Sequence, residues 1–473
     1  YGDNLRKNGG QLVKLFVKDK EFYRETIAIA IPISLQSIIT IGVNMMDNIM
    51  VGSLGETVLS GVSLANQYIS LYHICCMGIA MGASVLTARF WGMKDMTALK
   101  YTVTLMLRFC AGLALLFMIP AIISPNLLMR MYTPDEDVIG QGLLYYRWIW
   151  ATFLLQGFSL TCTIVLRSVG QVKLPLYTSI GAFFINVFFN YVFIFGKLGA
   201  PRLEIEGAAI GTLFARLFEF AVIVGYFFTR DSKIQYRVQD LRMKCTSLLH
   251  EYIMISVPVF VSDGLLALGT TAVAMIMGRI SKEFVSANSI TFVTQQLSTV
   301  LIQGICHAGC IVTGHTLGKG DTRKAQEQAW TFLKLGIIIG IVAGLIILVI
   351  SEPMIQAYNI TDHTKNIARQ LMDAMALIIV FQSANSILTK GVLRGGGDTK
   401  FLMVADILFL WIVSIPLGAL AGLYWHLSAF WIYLFLKIDQ VIKAIWCVFR
   451  LKSGNWIKTI KGSKKIEQGS KAE

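Results

Sequence analysis

At 473 residues, 55% hydrophobic and only 15% charged, with a mean hydropathy of +0.63, the chain is too poor in charge for a soluble globular protein of its size. It reads as an all-α polytopic membrane protein. The net charge of +14 does not point to nucleic acid, because Lys and Arg cluster in short loops between apolar spans and in the two tails, the positive-inside pattern.

Residues 1–21 are mixed and charged, without the pattern of a cleavable signal peptide, and are expected to form a cytoplasmic segment. Twelve spans follow, near 22–50, 57–88, 99–122, 138–166, 175–197, 205–229, 249–278, 284–314, 325–350, 366–392, 401–424 and 427–449, each long enough to cross a bilayer as a helix. Placing the amino terminus on one side puts most of the 42 Lys and Arg there. Only Arg130, Lys197, Arg202, Arg279, Lys282, Lys365 and Arg369 fall opposite, so both termini are expected in the cytoplasm.

The chain matches itself at a shift of 226 residues: Pro32 with Pro258, Gly52 with Gly278, Gly78 with Gly304, Gly92 with Gly318, Asp95 with Asp321. A slip of one residue then pairs Leu166, Arg167 and Gly170 with Leu393, Arg394 and Gly397. The repeat implies two six-helix pseudo-symmetric bundles of like orientation, 22–229 and 249–450. A basic cytoplasmic loop, 230–248, joins them, and 451–473 is a basic cytoplasmic tail. Two such halves around a central cavity suit alternating access, and the function implied is transport. No GxxxxGK[ST] supplies ATP hydrolysis, and LRGGGDTK at 393–400 reads as a tight turn. Energy must then come from an ion gradient.

In the apolar run 26–50 of the first span a single carboxylate, Asp47, shares roughly one quadrant of the helix with Gln36, Thr40 and Asn44. An Asp at mid-membrane costs about 2.5–3.5 kcal/mol on insertion scales, so it needs a reason. It is the leading candidate to take up a proton, or to bind a sodium ion with neighbouring oxygens. Asp263, five residues after the helix-internal Pro258, is the second candidate. The two acids break the repeat: at the 226 shift Asp47 faces Val273 and Asp263 faces Ser37. Polar stripes including Asn66, Gln67, Asn186, Asn190, Gln296, Gln382 and Asn385 favour, taken together, a polar cavity. Glu219 reads as a local partner of Arg216, and Asp439 as one of Lys437 and Lys443; Asp406 is ambiguous. The eight cysteines form no disulfide framework, and Cys306, His307 and Cys310 lack a fourth ligand for a metal.

IPISLQ followed by MMDNIMVGSLG and LSGVSLANQ, then IEGAAIGT at 205–212 and LRGGGDTK before the eleventh span, resemble the multidrug and toxic compound extrusion (MATE) transporters. The resemblance covers about residues 22–452 and is nearer the DinF-like branch than the NorM type. It implies a V-shaped fold of two bundles and antiport of organic cations or amphiphilic drugs against protons or sodium. It also implies that Asp47 shares an amino-terminal ion site with Asn186, Asn190 and Thr212. The archaeal pattern has an Asp where Asn190 stands, so a charge is missing and protons are favoured over sodium. NorM-type members carry a second site on carboxylates of the seventh and eighth spans. Asp263 fits the first of these, but 284–317 holds no Asp or Glu.

The expected protein is therefore a monomeric antiporter of the cell inner membrane, working on small amphiphilic or cationic molecules in contact with lipid, with no cofactor, no nucleic-acid partner and no enzymatic activity. A lipid-linked oligosaccharide flippase of the same superfamily is the runner-up. It needs a strongly basic cavity, for which Arg108, Arg147, Arg216 and Lys334 are the deep candidates. An integral-membrane enzyme using Cys306, His307 and Asp263 would need a nucleophile and base that converge, and no motif links these residues.

Overall fold

The computed structural model describes residues 17–460 except 244, 357 and 359, so most of both terminal segments lies outside the described residues. The first half contains α1 (Lys20–Gly52), α2 (Glu56–Met93), α3 (Met96–Ile123), the short α4 (Pro125–Arg130), α5 (Glu136–Ile149), α6 (Thr152–Ser168), α7 (Lys173–Phe195) and α8 (Ile205–Thr229). The second contains α9 (Thr246–Ile280), α10 (Lys282–Gly318), α11 (Thr322–Gln356), α12 (Asp362–Ser386), α13 (Thr399–Asp406), α14 (Ile415–Ala419), α15 (Ala429–Leu436) and α16 (Ile438–Ser453). Ten of the resulting spans are long and apolar enough to cross a bilayer singly.

Two expected spans are broken. The fourth is α5 and α6, bent by 58° around Trp150 and Ala151. The twelfth is α15 and α16, which meet at Lys437 with its backbone at φ −119°. The tenth and eleventh depart differently: α12 runs on as a π-helix over Ile387–Leu393, and α13 continues through π-helical Ile407–Ser414 and Leu420–Tyr424. Such widened turns are frequent at functional sites, and hydropathy does not reveal them.

The repeat is visible in local chemistry. Asp95 caps α3 by accepting from the Ala98 amide at 3.0 Å, and its counterpart Asp321 caps α11 by accepting from Lys324 at 2.9 Å. Repeat-related glycines also meet: a Cβ on Gly318 would stand 2.8 Å from the Gly92 Cα. Small residues at four-residue spacing permit close helix contact, as at Gly340, where a Cβ would come within 2.7 Å of the Val380 Cα on α12.

The chain divides into two compact units. Among the described residues unit 1 holds 17–34, 88–94 and 261–460, and unit 2 holds 35–87 and 95–260. The proline-bearing helices α1 and α9 each contribute to both units, dividing at 34/35 and at 260/261. In unit 1 the LRGGGDTK turn is a packed corner. Gly397 takes the left-handed φ of +86°, and Asp398 accepts from Arg450 at 2.7 Å. The segment after α16 lies over it: fully buried Trp456 donates to Gln326 at 2.7 Å, and the Lys458 amide donates to the Gly396 carbonyl at 3.0 Å.

Candidate functional site

In unit 2, α1 carries Asp47 and α7 carries Asn186 and Asn190 one turn apart, so both amides share a helix face. The Asn190 Nδ2 donates to Asp47 Oδ1 at 2.6 Å and lies 3.3 Å from Asn186 Oδ1. Both asparagines are buried, and the Oδ1 of Asn190 has no hydrogen-bond donor among the described residues. Gly211 of α8 makes this possible, since a Cβ there would run into the Asn190 side chain. Thr212, the next residue, interacts with the hydroxyl of Tyr145 on α5, which also donates to Asn66 Oδ1 of α2 at 3.4 Å. Five helices thus converge on one acid.

Around this set the polar groups are matched locally. Arg216 donates to Glu219 at 2.7 Å, and its charge acts on Asp47. His73 Nδ1 pairs with Gln156 at 3.0 Å. Gln36 lies eleven residues before Asp47 on α1, accepts from Arg167 and donates to Ser179 at 2.7 Å. Gln36 is therefore tied to a different cluster from Asp47. Asn44 and Gln67 are exposed, away from the Asp47 hydrogen bonds.

Asp263 belongs to unit 1 rather than to the Asp47 set. Arg394 clamps it through two nitrogens at 2.9 and 3.2 Å, and the arginine is buried. The adjacent Ser262 donates to Asp406, whose carboxylate lies 3.0 Å from the ammonium of Lys443. Lys443 also contacts Asp439 at 2.9 Å, so one cation joins two carboxylates with side chains 9% and 1% exposed. From Asp439 the chain continues through Gln440 to Asn385, at 2.7 and 2.8 Å. Gln382 accepts from Gln295 at 3.2 Å, while Gln296 is exposed.

Sequence reasoning missed three members of this network. Arg394 was legible only as part of a turn, Asp406 only as an unassigned acid, and Lys443 only as a local partner of Asp439. The signal that could have found Arg394 is its repeat position, because its counterpart Arg167 also turns inward to bind a polar residue of a proline-bearing helix, Gln36. Among the described residues no group of three or more His, Cys, Asp or Glu could hold a metal ion.

The profile of the MatE family matches residues 32–192 and again 258–420, the two matches beginning 226 residues apart. A curated relative from Thermotoga maritima, described as a probable multidrug resistance protein NorM, is 23% identical over 445 residues, covering 93% of this chain and 94% of its own length. A relative of the same description from Mesorhizobium japonicum is 27% identical over 432 residues, covering 86% and 89%. A solved outward-facing multidrug resistance MATE transporter superposes with a TM-score of 0.82 at 17% identity, over 93% of this chain and 99% of that one. A MATE crystal structure in complex with MaL6 superposes with a TM-score of 0.83 at 16% identity, over 94% and 99%.

Proposed function

We propose, for this chain, which belongs to the MatE family of multidrug efflux transporters and has their all-helical fold, that it exports organic cations and amphiphilic compounds in exchange for protons. The observation that carries the proposal is the hydrogen-bonded set of Asp47, Asn190 and Asn186: one carboxylate among neutral amides. A lone carboxylate accepts one proton and, when ionised, attracts one cation. A proton and a cationic substrate therefore compete for it, and that competition is what exchange requires. Sodium is the second reading, supported by the unclaimed Oδ1 of Asn190 beside the acid. It is weaker because Asn190 contributes an oxygen without a charge.

The two halves are taken to alternate access, in a monomer of the inner membrane with both termini in the cytoplasm, as the distribution of Lys and Arg suggests. Among the deep cations of the flippase reading, Arg216 is already paired with Glu219, and Arg108 donates to the Leu241 and Met243 carbonyls at 2.6 and 2.9 Å. That leaves little for a pyrophosphate.

Proteoliposomes loaded with a cationic dye test the reading. An imposed proton gradient is expected to drive dye release well above that of protein-free vesicles, and a sodium gradient alone is not. Release driven only by sodium would move the proposal to the second ion. Release with neither gradient would refute ion coupling.

A further inference from the structure

One stripe of α8 carries charge beside the Asp47 set. At about 100° per residue, Thr212, Arg216 and Glu219 lie within roughly 60° of one another. The neighbouring stripe of α8 is pressed against α7. A Cβ on Gly207 would stand 2.5 Å from the Phe193 backbone, one on Gly211 would run into Asn190, and one on Gly181 of α7 would stand 2.7 Å from the Phe218 ring. The rotation of α8 is thereby fixed along its length, and its charged stripe stays next to the asparagines that hold the acid.

Arg216 has two carboxylates to serve. Its Nη1 donates to Glu219 Oε2 at 2.7 Å, and its charge acts on Asp47 and on Tyr145, whose hydroxyl Thr212 also reaches. Helical Cβ atoms tilt toward the helix amino terminus, so Arg216 leans back over the Thr212 turn and Glu219 leans back to meet it. The Glu219 side chain is 16% exposed and that of Arg216 34%. Glu219 also acts on His73 of α2 and on Arg167 of α6. A guanidinium stays charged at every working pH. Seated on Asp47, it would compete with any incoming cation as a tethered group, at an effective concentration on the order of millimolar or more.

We propose that Glu219 is a positioning residue for exchange: by holding Arg216 it keeps Asp47 open to a substrate cation or a proton, and without that hold Arg216 occupies Asp47 itself. The role in exchange rests on the efflux reading above; the effect on cation binding does not. Glu219 touches neither substrate nor the acid, and it acts only through Arg216.

Rhodamine 6G, a fluorescent monocation, reports on the site by anisotropy with the full chain purified in detergent. Glu219→Gln is expected to bind it about tenfold more weakly than the unsubstituted protein. Glu219→Gln with Arg216→Gln should return to within about twofold of the original, because the tethered competitor is gone. Arg216→Gln alone should also stay within about twofold, since Arg216 is already held away from the site. In an Asp47→Asn background Glu219→Gln should change nothing, as no acid is left for Arg216 to take. Yield and elution profile check the folding of each protein, and Arg216→Gln carries the test even where Glu219→Gln does not fold. A tenfold gain in Arg216→Gln alone would mean that the two charges act independently through their fields, and would overturn the proposal. So would weak binding that persists in the double variant, which would mark Glu219 as a purely structural residue. The expected binding pattern without gradient-driven efflux of the dye from proteoliposomes would leave the positioning role standing and remove the efflux reading instead.

Discussion

Asp47→Asn is expected to reduce gradient-driven dye efflux to the leak rate of protein-free vesicles while the protein still inserts and folds. Asparagine has the shape of the aspartate it replaces, and its Oδ1 can still accept from Asn190, so the 2.6 Å contact survives. The buried amide of Asn190 is not orphaned, which avoids the cost of about 1–3 kcal/mol for an unsatisfied polar group. What disappears is the ability to gain and lose a proton and to attract a cation. The readout is efflux from proteoliposomes under a proton gradient, with yield and elution profile compared as a check on folding. Efflux at the level of the unsubstituted protein would remove Asp47 from coupling.

The largest effect on stability is expected at Lys443. Its side chain is 2% exposed and stands between Asp406 and Asp439, which gain further hydrogen bonds from Ser262, Ser414 and Gln440. Lys443→Met removes the cation and leaves two buried carboxylates facing each other, and breaking a buried pair of this kind costs about 3–5 kcal/mol. The apparent unfolding midpoint in detergent should fall by several degrees. Adding Asp406→Asn and Asp439→Asn should restore most of it, because no carboxylate is then left buried without the Lys443 ammonium. A Lys443→Met protein that unfolds at the original temperature would mean that the carboxylates are neutral or hydrated in the folded state.

Asp47 was legible in the sequence because a solitary acid in a long apolar run has few bland explanations. Asn186 and Asn190 were legible as a pair because four-residue spacing puts them on one helix face, and α7 holds them there. The family pattern then assigned them to Asp47, and the 2.6 Å contact joins them to it. Among the described residues Thr212 is tied to the set through Tyr145, a residue that no pattern singled out.

Unit 1 was harder to read for a physical reason. Periodicity reports which face of a helix is polar, but not which charge from a distant span will stand opposite. Asp263 and Arg394 are 131 residues apart, and Asp406 and Lys443 are 37 apart on different helices. The bend at Trp150 and the π-helical turns after Ser386 and Asp406 also leave no trace in hydropathy, because they alter the pitch without altering composition. The repeat, by contrast, was carried by Gly, Pro and capping Asp residues, whose backbone roles are local.

Exchange itself is tested most directly by following the ion rather than the dye. With a pH indicator sealed inside proteoliposomes and a proton gradient imposed, adding a cationic dye to the unsubstituted protein should dissipate the gradient at a rate that saturates with dye concentration. The Asp47→Asn protein should leave the gradient unchanged. Dye movement through the unsubstituted protein with no accompanying flux of protons or sodium would contradict the account.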